Sequence, residues 1–202
     1  AYASPARLEI LDFLAQGERS VDSLARAAGL SVANTSKHLQ QLRHAGLVEA
    51  RKEGLHVFYR MSGDDVLSVI ADMRVLAQSR LAEVDQLIEN YLTSKDDLEP
   101  IQADELMERA SEGLVTILDV RPEEEFSQGH LSGAINIPLN ELEEHLSELP
   151  SETEVIAYCR GPWCVLSYEA VSMLRSKGIR ARRLDGGLPE WRQEGRPVSH
   201  ST

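Results

Sequence analysis

Cys159 and Cys164 are the only thiols of the chain, and both lie in the stretch A-Y-C-R-G-P-W-C-V-L-S at residues 157–167. Two cysteines at this spacing could hold a thiophilic metal, close a disulfide, supply a nucleophile or work as a redox switch. The flanking residues favour the nucleophile. "EVIAYC" is an apolar run that reads as a buried strand ending on Cys159, and a helix reads from Val165 onward. In an open parallel sheet, chemistry collects at the carboxyl ends of the strands, which is where Cys159 falls. The intervening loop carries Arg160, Gly161, Pro162 and Trp163. Its backbone N–H groups, with the helix start at Val165 behind them, form an anion cradle. A cysteine facing that cradle is expected to have a lowered pKa. Gly161 allows close backbone approach and Arg160 adds positive charge. Against this stands the plainer use of a strand-end cysteine as buried filler.

The elements that must position this loop follow from the pattern around it. From residue 101 onward, apolar runs alternate with helical segments. Strands are expected at "VTILDV", "AINIP", "EVIAYC" and "ARRLD". Helices are expected at "QADELMERASEG", "PEEEFSQG", "LNELEEHLSEL", "VLSYEAVSMLRSKG" and "LPEWRQEG". That alternation implies an α/β domain with a mainly parallel sheet over residues 101–202.

Residues 1–92 have a different grammar. A first helix is expected from Ser4 as N-cap and Pro5 at N1 to Gly17, and a second ends at Gly29. A third is capped by Ser31 and ended by Gly46, and "LVEARKEGLHVFYRM" then reads as a hairpin with a basic tip. From Gly63 to Leu92 one amphipathic helix of about 28 residues would be about 42 Å long. So long a helix needs a second chain to cover its apolar stripe. The polar segment "TSKDDLEP" at 93–100 is taken as the linker.

Helix, turn, helix and basic hairpin in this order make a winged helix-turn-helix. On the third helix Thr35, Leu39 and Leu42 share the face that packs inward. Ser31, Asn34, Ser36, Lys37, Gln40, Gln41 and His44 are available to DNA, with Arg43 on the flank. Ser and Gln can read base edges, and Lys can hold a phosphate or guanine. Arg51, Lys52 and His56 on the hairpin are placed to reach flanking phosphates. His38 falls beside the core face and reads as a packed, hydrogen-bonded histidine.

The net charge of −12 argues against nucleic acid only until it is located. Residues 1–92 hold 10 Lys/Arg against 12 Asp/Glu, and residues 93–202 hold 11 against 21. Residues 31–60 alone hold five Lys/Arg against two acids. Two cysteines are too few for a secreted disulfide framework and fit a cytoplasmic protein. No apolar run approaches the roughly 20 residues of a membrane span, and Ala1 to Ala15 reads as a helix rather than a signal peptide. Native residues are expected ahead of Ala1, since the chain opens without Met.

Two resemblances add to this reading. Residues 3–61, through "SKHLQQLRHAGLV" and "RKEGLHVFY", resemble the ArsR-type winged-helix repressors. That implies a homodimer on a palindromic operator in double-stranded DNA, released by an inducer. The sensing cysteines usual in that family are missing from this part of the chain, so sensing is expected elsewhere. Residues 100–198, through "ILDVRPEEEFSQGHLSGAINIPL", the strand–Cys–loop and "LDGGLPEWRQEGRPV", look like a single rhodanese domain. That implies that Cys159 accepts a sulfane sulfur as a persulfide, with Asp119 and Arg121 on a motif whose role is better read as structural. Many members carry Arg at the sixth loop position, where this chain has Cys164, a thiol placed to resolve a persulfide. The expected partners are therefore DNA, a second copy and a small sulfur species or low-molecular-weight thiol, with no cofactor, no membrane and no resident metal. Three functions remain: a regulator that senses reactive sulfur or thiol oxidants, a sulfurtransferase joined to a DNA-binding module, and an arsenite or thiophilic-metal sensor. The last has two thiolates and no obvious third ligand.

Overall fold

The computed structural model describes residues 2–80, 100–162 and 164–201. Residues 93–99 of the expected 93–100 linker, the far end of the expected long helix at 81–92, and Trp163 lie outside the described residues. The chain divides into two compact units, Ala1–Leu76 and Ala77–Thr202.

In the first unit, α1 (Pro5–Gln16), α2 (Val21–Ala27) and α3 (Val32–His44) pack around one core with a small antiparallel sheet. The sheet has β1 (Arg19–Ser20), β2 (Val48–Glu53) and β3 (His56–Met61) in the order β1-β3-β2. Each helix starts and stops for a local reason. Ser20 and Ser31 accept hydrogen bonds from the backbone N–H groups of Ser23 and Asn34, which would otherwise be orphaned. Ser4 occupies the N-cap position of α1 as expected, but its side chain makes no capping bond. Thr35, Leu39 and Leu42 are fully buried, so the projected inner face of α3 is the observed one. The hairpin turns at Gly54, whose φ of 59° suits glycine. The last helix, α4, is described over Asp64–Arg80. Val66 and Ile70 of α4 join the core, while Val69, Val75 and Leu76 stand exposed.

The second unit is built on a four-stranded parallel sheet, as the alternation predicts. Its strands are β4 (Val115–Asp119), β6 (Ile135–Asn136), β7 (Glu154–Cys159) and β8 (Ala181–Gly187), in the order β6-β4-β7-β8. A two-stranded pair, β5 (His130–Leu131) with β9 (Val198–Ser199), lies outside it. The helices are α5 (Ala103–Ser111), α6 (Glu123–Gln128), α7 (Val165–Ser176) and α8 (Leu188–Gln193). Residues alternate between the faces of β7. Val155, Ala157 and Cys159 enter the cluster formed with Ala170, Val171 and Leu174 of α7. Ile156 and Tyr158 enter the opposite cluster, with Leu106, Leu188 and Trp191.

One expected helix is not there. Residues 139–149 fold as successive turns, with a short 3-10 turn at Leu146–Glu148. Glu141, Glu144 and Glu148 would stack like charges at helical spacing, which disfavours an α-helix. The tighter turns still seat Leu142 and Leu149 in the core.

Candidate thiol site and nucleic-acid interface

The loop 159–164 leaves the end of β7 and re-enters α7 with Cys164 as the N-cap residue. Its amide closes a turn onto the Gly161 carbonyl at 3.1 Å. Gly161 has φ 156°, and the end of β8 presses against the loop at Gly187. A Cβ at Gly187 would come within 2.5 Å of the Cys159 carbonyl oxygen. Glu190 of α8 fixes that end of β8, accepting from the Gly187 N–H at 2.9 Å. Tyr168 holds the crest by donating to the Pro162 carbonyl at 3.3 Å. Val165 opens α7.

The two sulfurs sit in different surroundings. Cys159 is fully buried. Its Sγ lies 3.4 Å from the Cys164 carbonyl oxygen, 3.8 Å from the Gly161 carbonyl oxygen and 3.3 Å from Ser167 Oγ. Carbonyl oxygens repel an anion, and burial removes water from it. Burial above all, then the neighbouring Cys164, push the Cys159 thiol well above the ordinary range. Cys164 is partly exposed. The neighbouring Cys159 thiol first, then the Arg160 and Leu166 backbone N–H groups and the Arg160 charge, favour its thiolate. Together they hold Cys164 down to about 6. The lowered pKa expected at Cys159 is therefore found at Cys164. Cys164 is the N-cap residue of α7, and its side chain makes no capping hydrogen bond.

Arg160 is anchored from across the site. Its Nε and Nη2 donate to the buried Glu125 carboxylate at 2.9 and 2.6 Å. Nothing in "PEEEFSQG" singles out Glu125 from the two glutamates before it. Only packing does, as it does for Ser167, Tyr168 and Glu190.

Asp119 and Arg121 lie elsewhere. They are fully buried and pair with each other, Arg121 Nη2 donating to Asp119 Oδ2 at 2.5 Å and Nε to Oδ1 at 2.9 Å. Arg121 also donates to the Gly129 carbonyl at 2.9 Å, and the Tyr158 hydroxyl donates to Asp119. Tyr158 faces away from Cys159, so the pair braces the far side of the sheet.

A thiolate in this setting has a direct signature. The alkylation rate of the reduced protein should rise with pH through a midpoint of about 6, set by Cys164. Thiolate is the reactive form, so reactivity is present above that midpoint and lost as pH falls through it. At pH 7 such a cysteine holds about thirtyfold more thiolate than an ordinary one. Iodoacetamide kinetics across a pH series spanning that midpoint check this, and Cys164→Ser should abolish the low midpoint.

In the first unit, Ser31, Asn34, Lys37, Gln40, Gln41, Arg43 and His44 are exposed along α3, and Ser36 is half-buried. Gln41 accepts a hydrogen bond from Arg7. On the hairpin, Lys52 and His56 are exposed, while Arg51 is committed to carboxylates. It pairs with Glu18 at 2.6 Å and with Glu53. His38 packs beside the core, but its Nδ1 makes no hydrogen bond, contrary to the expected bonded ring.

Comparison with known proteins decides the family. Residues 4–50 match the family model described as bacterial regulatory protein, arsR family, and residues 102–194 match the rhodanese-like domain. The chain is 46% identical over 98% of its length to the HTH-type transcriptional regulator Rv0324 of Mycobacterium tuberculosis, covering 87% of that protein. The chain belongs to the ArsR family of regulators and carries a rhodanese-like domain. The rhodanese-like part of this ArsR-family chain is also 32% identical to a sulfurtransferase of Allochromatium vinosum, over 42% of the chain and 78% of that protein. Its first part resembles the solution structure of a homodimeric winged helix-turn-helix DNA-binding domain from Mycobacterium bovis. That match is 47% identical, covers 39% of the chain and 73% of the other, and has a TM-score of 0.37. Among the described residues of this ArsR-family regulator, no three His, Cys, Asp or Glu side chains gather where they could hold a metal ion, and no helix is long and apolar enough to cross a membrane.

Proposed function

We propose that this regulator binds operator DNA as a homodimer through α3 and its hairpin, and that reactive sulfur or another thiol oxidant, acting on Cys159 and Cys164, changes that binding. One observation carries the reading. The DNA-binding unit holds no cysteine, while the two thiols of the chain sit in one loop, the Cys159 sulfur 3.4 Å from the Cys164 carbonyl oxygen. Two such thiols can link when a sulfane sulfur is delivered to one of them. The dimer is supported by the exposed apolar residues Val69, Val75 and Leu76 along α4, which a second copy would cover.

The test is binding to a duplex selected by the protein itself from random sequences, before and after treatment with polysulfide. Wild type should change affinity by about tenfold, which needs only about 1.4 kcal/mol of coupling. Cys159→Ser and Cys164→Ser should not respond. If either responds like wild type, the reading is wrong.

Lys37 supplies a check on the DNA face. Lys37→Ala should weaken binding and lower the slope of log K against log salt by about one, the loss of a single phosphate contact. Titrations at several salt concentrations read this directly.

The sulfurtransferase reading is kept by the similarity to the Allochromatium vinosum protein. Multiple turnovers with thiosulfate that survive Cys164→Ser would favour it over the switch.

A further inference from the structure

We infer that Leu55, at the tip of the hairpin, is an apolar DNA contact: it enters the minor groove at the edge of each half-site as a wedge against one flexible base step. This rests on the reading that α3 and the hairpin bind operator DNA, and adds to it a contact that carries no charge.

The hairpin is built to hold one side chain out. Glu53 pairs with His56 across the strands, so the loop is the two residues Gly54 and Leu55. Gly54 has φ 59°, while Leu55 has a negative φ. That is the pattern of a type II′ turn, in which glycine takes the first central position. The second position usually carries Asn, Asp or Ser. Here it carries a leucine that is 97% exposed, the most exposed large apolar side chain among the described residues. Folding gains nothing from it, so its apolar surface is left for a partner. A residue that breaks the local turn rule with no return inside the fold marks a functional position.

The stem fixes where that side chain points. At its base, Ser62 Oγ donates to the Gly46 carbonyl at 2.7 Å and the Ser62 N–H donates to the Leu47 carbonyl at 3.2 Å. These bonds tie the far end of β3 to the chain that leaves α3. Along the stem, Arg60 pairs with Glu49 at 2.7 Å and Arg51 pairs with Glu18 at 2.6 Å. Glu53, the acid next to the turn, is also paired with Arg51. Lys52 and His56 beside the turn stay exposed. The tip therefore offers an apolar point flanked by Lys52 and His56, on a stem anchored to the helix that faces DNA. That is the chemistry of a minor-groove contact, in which cationic groups lie along the phosphates and a leucine presses between base pairs. One leucine returns too little to unstack a stiff step. The contact should therefore be confined to pyrimidine–purine steps, which open most easily.

The test uses full-length protein and duplexes enriched from random sequences. Wild type should enrich a pyrimidine–purine step at one fixed distance outside each half-site. A fluorescent purine that stacking quenches, placed at that step, should brighten on binding. Leu55→Ser should bind the same duplex about tenfold more weakly, the loss of one buried leucine contact, with an unchanged slope of log K against log salt. It should also lose the enrichment and the brightening. Leu55→Met keeps the apolar reach and should retain both. Lys52→Ala should instead lower the slope by about one. Melting followed by circular dichroism should be the same for all, because Leu55 packs on nothing. Leu55→Ser binding that matches wild type, or a loss that comes with a lower salt slope, overturns the inference. So does a changed sedimentation of the free Leu55→Ser protein, which would place Leu55 between copies. If Leu55→Ser matches wild type while Lys37→Ala weakens binding, DNA binding through α3 stands without the wedge. If wild type enriches no duplex, both fall.

Discussion

Asp119→Ala should lower the unfolding free energy of the second unit by about 3–5 kcal/mol, the usual cost of stripping one partner from a buried ion pair. Arg121 is fully buried, and its guanidinium would lose the carboxylate that faces it. The Tyr158 hydroxyl would lose its acceptor as well. Set against a total of about 5–15 kcal/mol for a domain of this size, that is a large fraction. The measurement is simple because Trp163 and Trp191, the two tryptophans of the chain, both lie in the C-terminal half of the sequence. Urea unfolding followed by tryptophan fluorescence therefore reads the second unit. Replacing both partners, as in Asp119→Ala with Arg121→Met, should recover much of the loss, because no unpaired charge remains. A loss below about 1 kcal/mol for Asp119→Ala would show that the pair does not brace the sheet.

Gly187→Ala should damage the thiol site more than the fold. The glycine has φ −157°, an extended conformation open to any residue, so backbone strain is not the reason. The reason is contact. An added Cβ would stand 2.5 Å from the Cys159 carbonyl oxygen and 2.7 Å from the Arg160 carbonyl carbon, and closer still to the Gly161 nitrogen. These are backbone atoms of the reactive loop, so the loop must shift as a whole. Overpacking of this kind costs about 1–3 kcal/mol. The larger effect should appear in chemistry, since the displaced backbone at residues 159–161 belongs to the loop that carries both thiols. The alkylation midpoint should climb from about 6 toward that of an ordinary cysteine. A midpoint that stays near 6 in Gly187→Ala would mean that the close approach of β8 does not set the Cys164 environment.

The legible parts of the fold were those with a local cause. Ser31 before "VANTSKHL", the inward spacing of Thr35, Leu39 and Leu42, and the apolar run ending on Cys159 each carry their outcome within one or two turns of chain. Segment 139–149 misled because its leucines recur at helical spacing, which 3-10 turns can also seat against a core. The two-residue strands β1, β5 and β9 had no signal, since a pair of residues shows no period. The pairing of Arg51 with Glu18 was not legible, because Glu18 lies 33 residues away in the chain.

The sequence by itself determined the two architectures, the strand-end position of Cys159, the loop length and the presence of a second thiol at its far end. Those follow from residue type and spacing, which local propensity and periodicity translate directly. Only the tertiary structure decided which thiol is buried and which is partly exposed, that Asp119 and Arg121 brace the opposite face, and that Glu125 holds Arg160. The reason is that burial and pairing depend on what surrounds an atom in space. Carbonyls and closed packing around one sulfur, and the more open setting of the other, are contributed by β7, α6, β8 and α7 together. No single stretch of the chain contains that information.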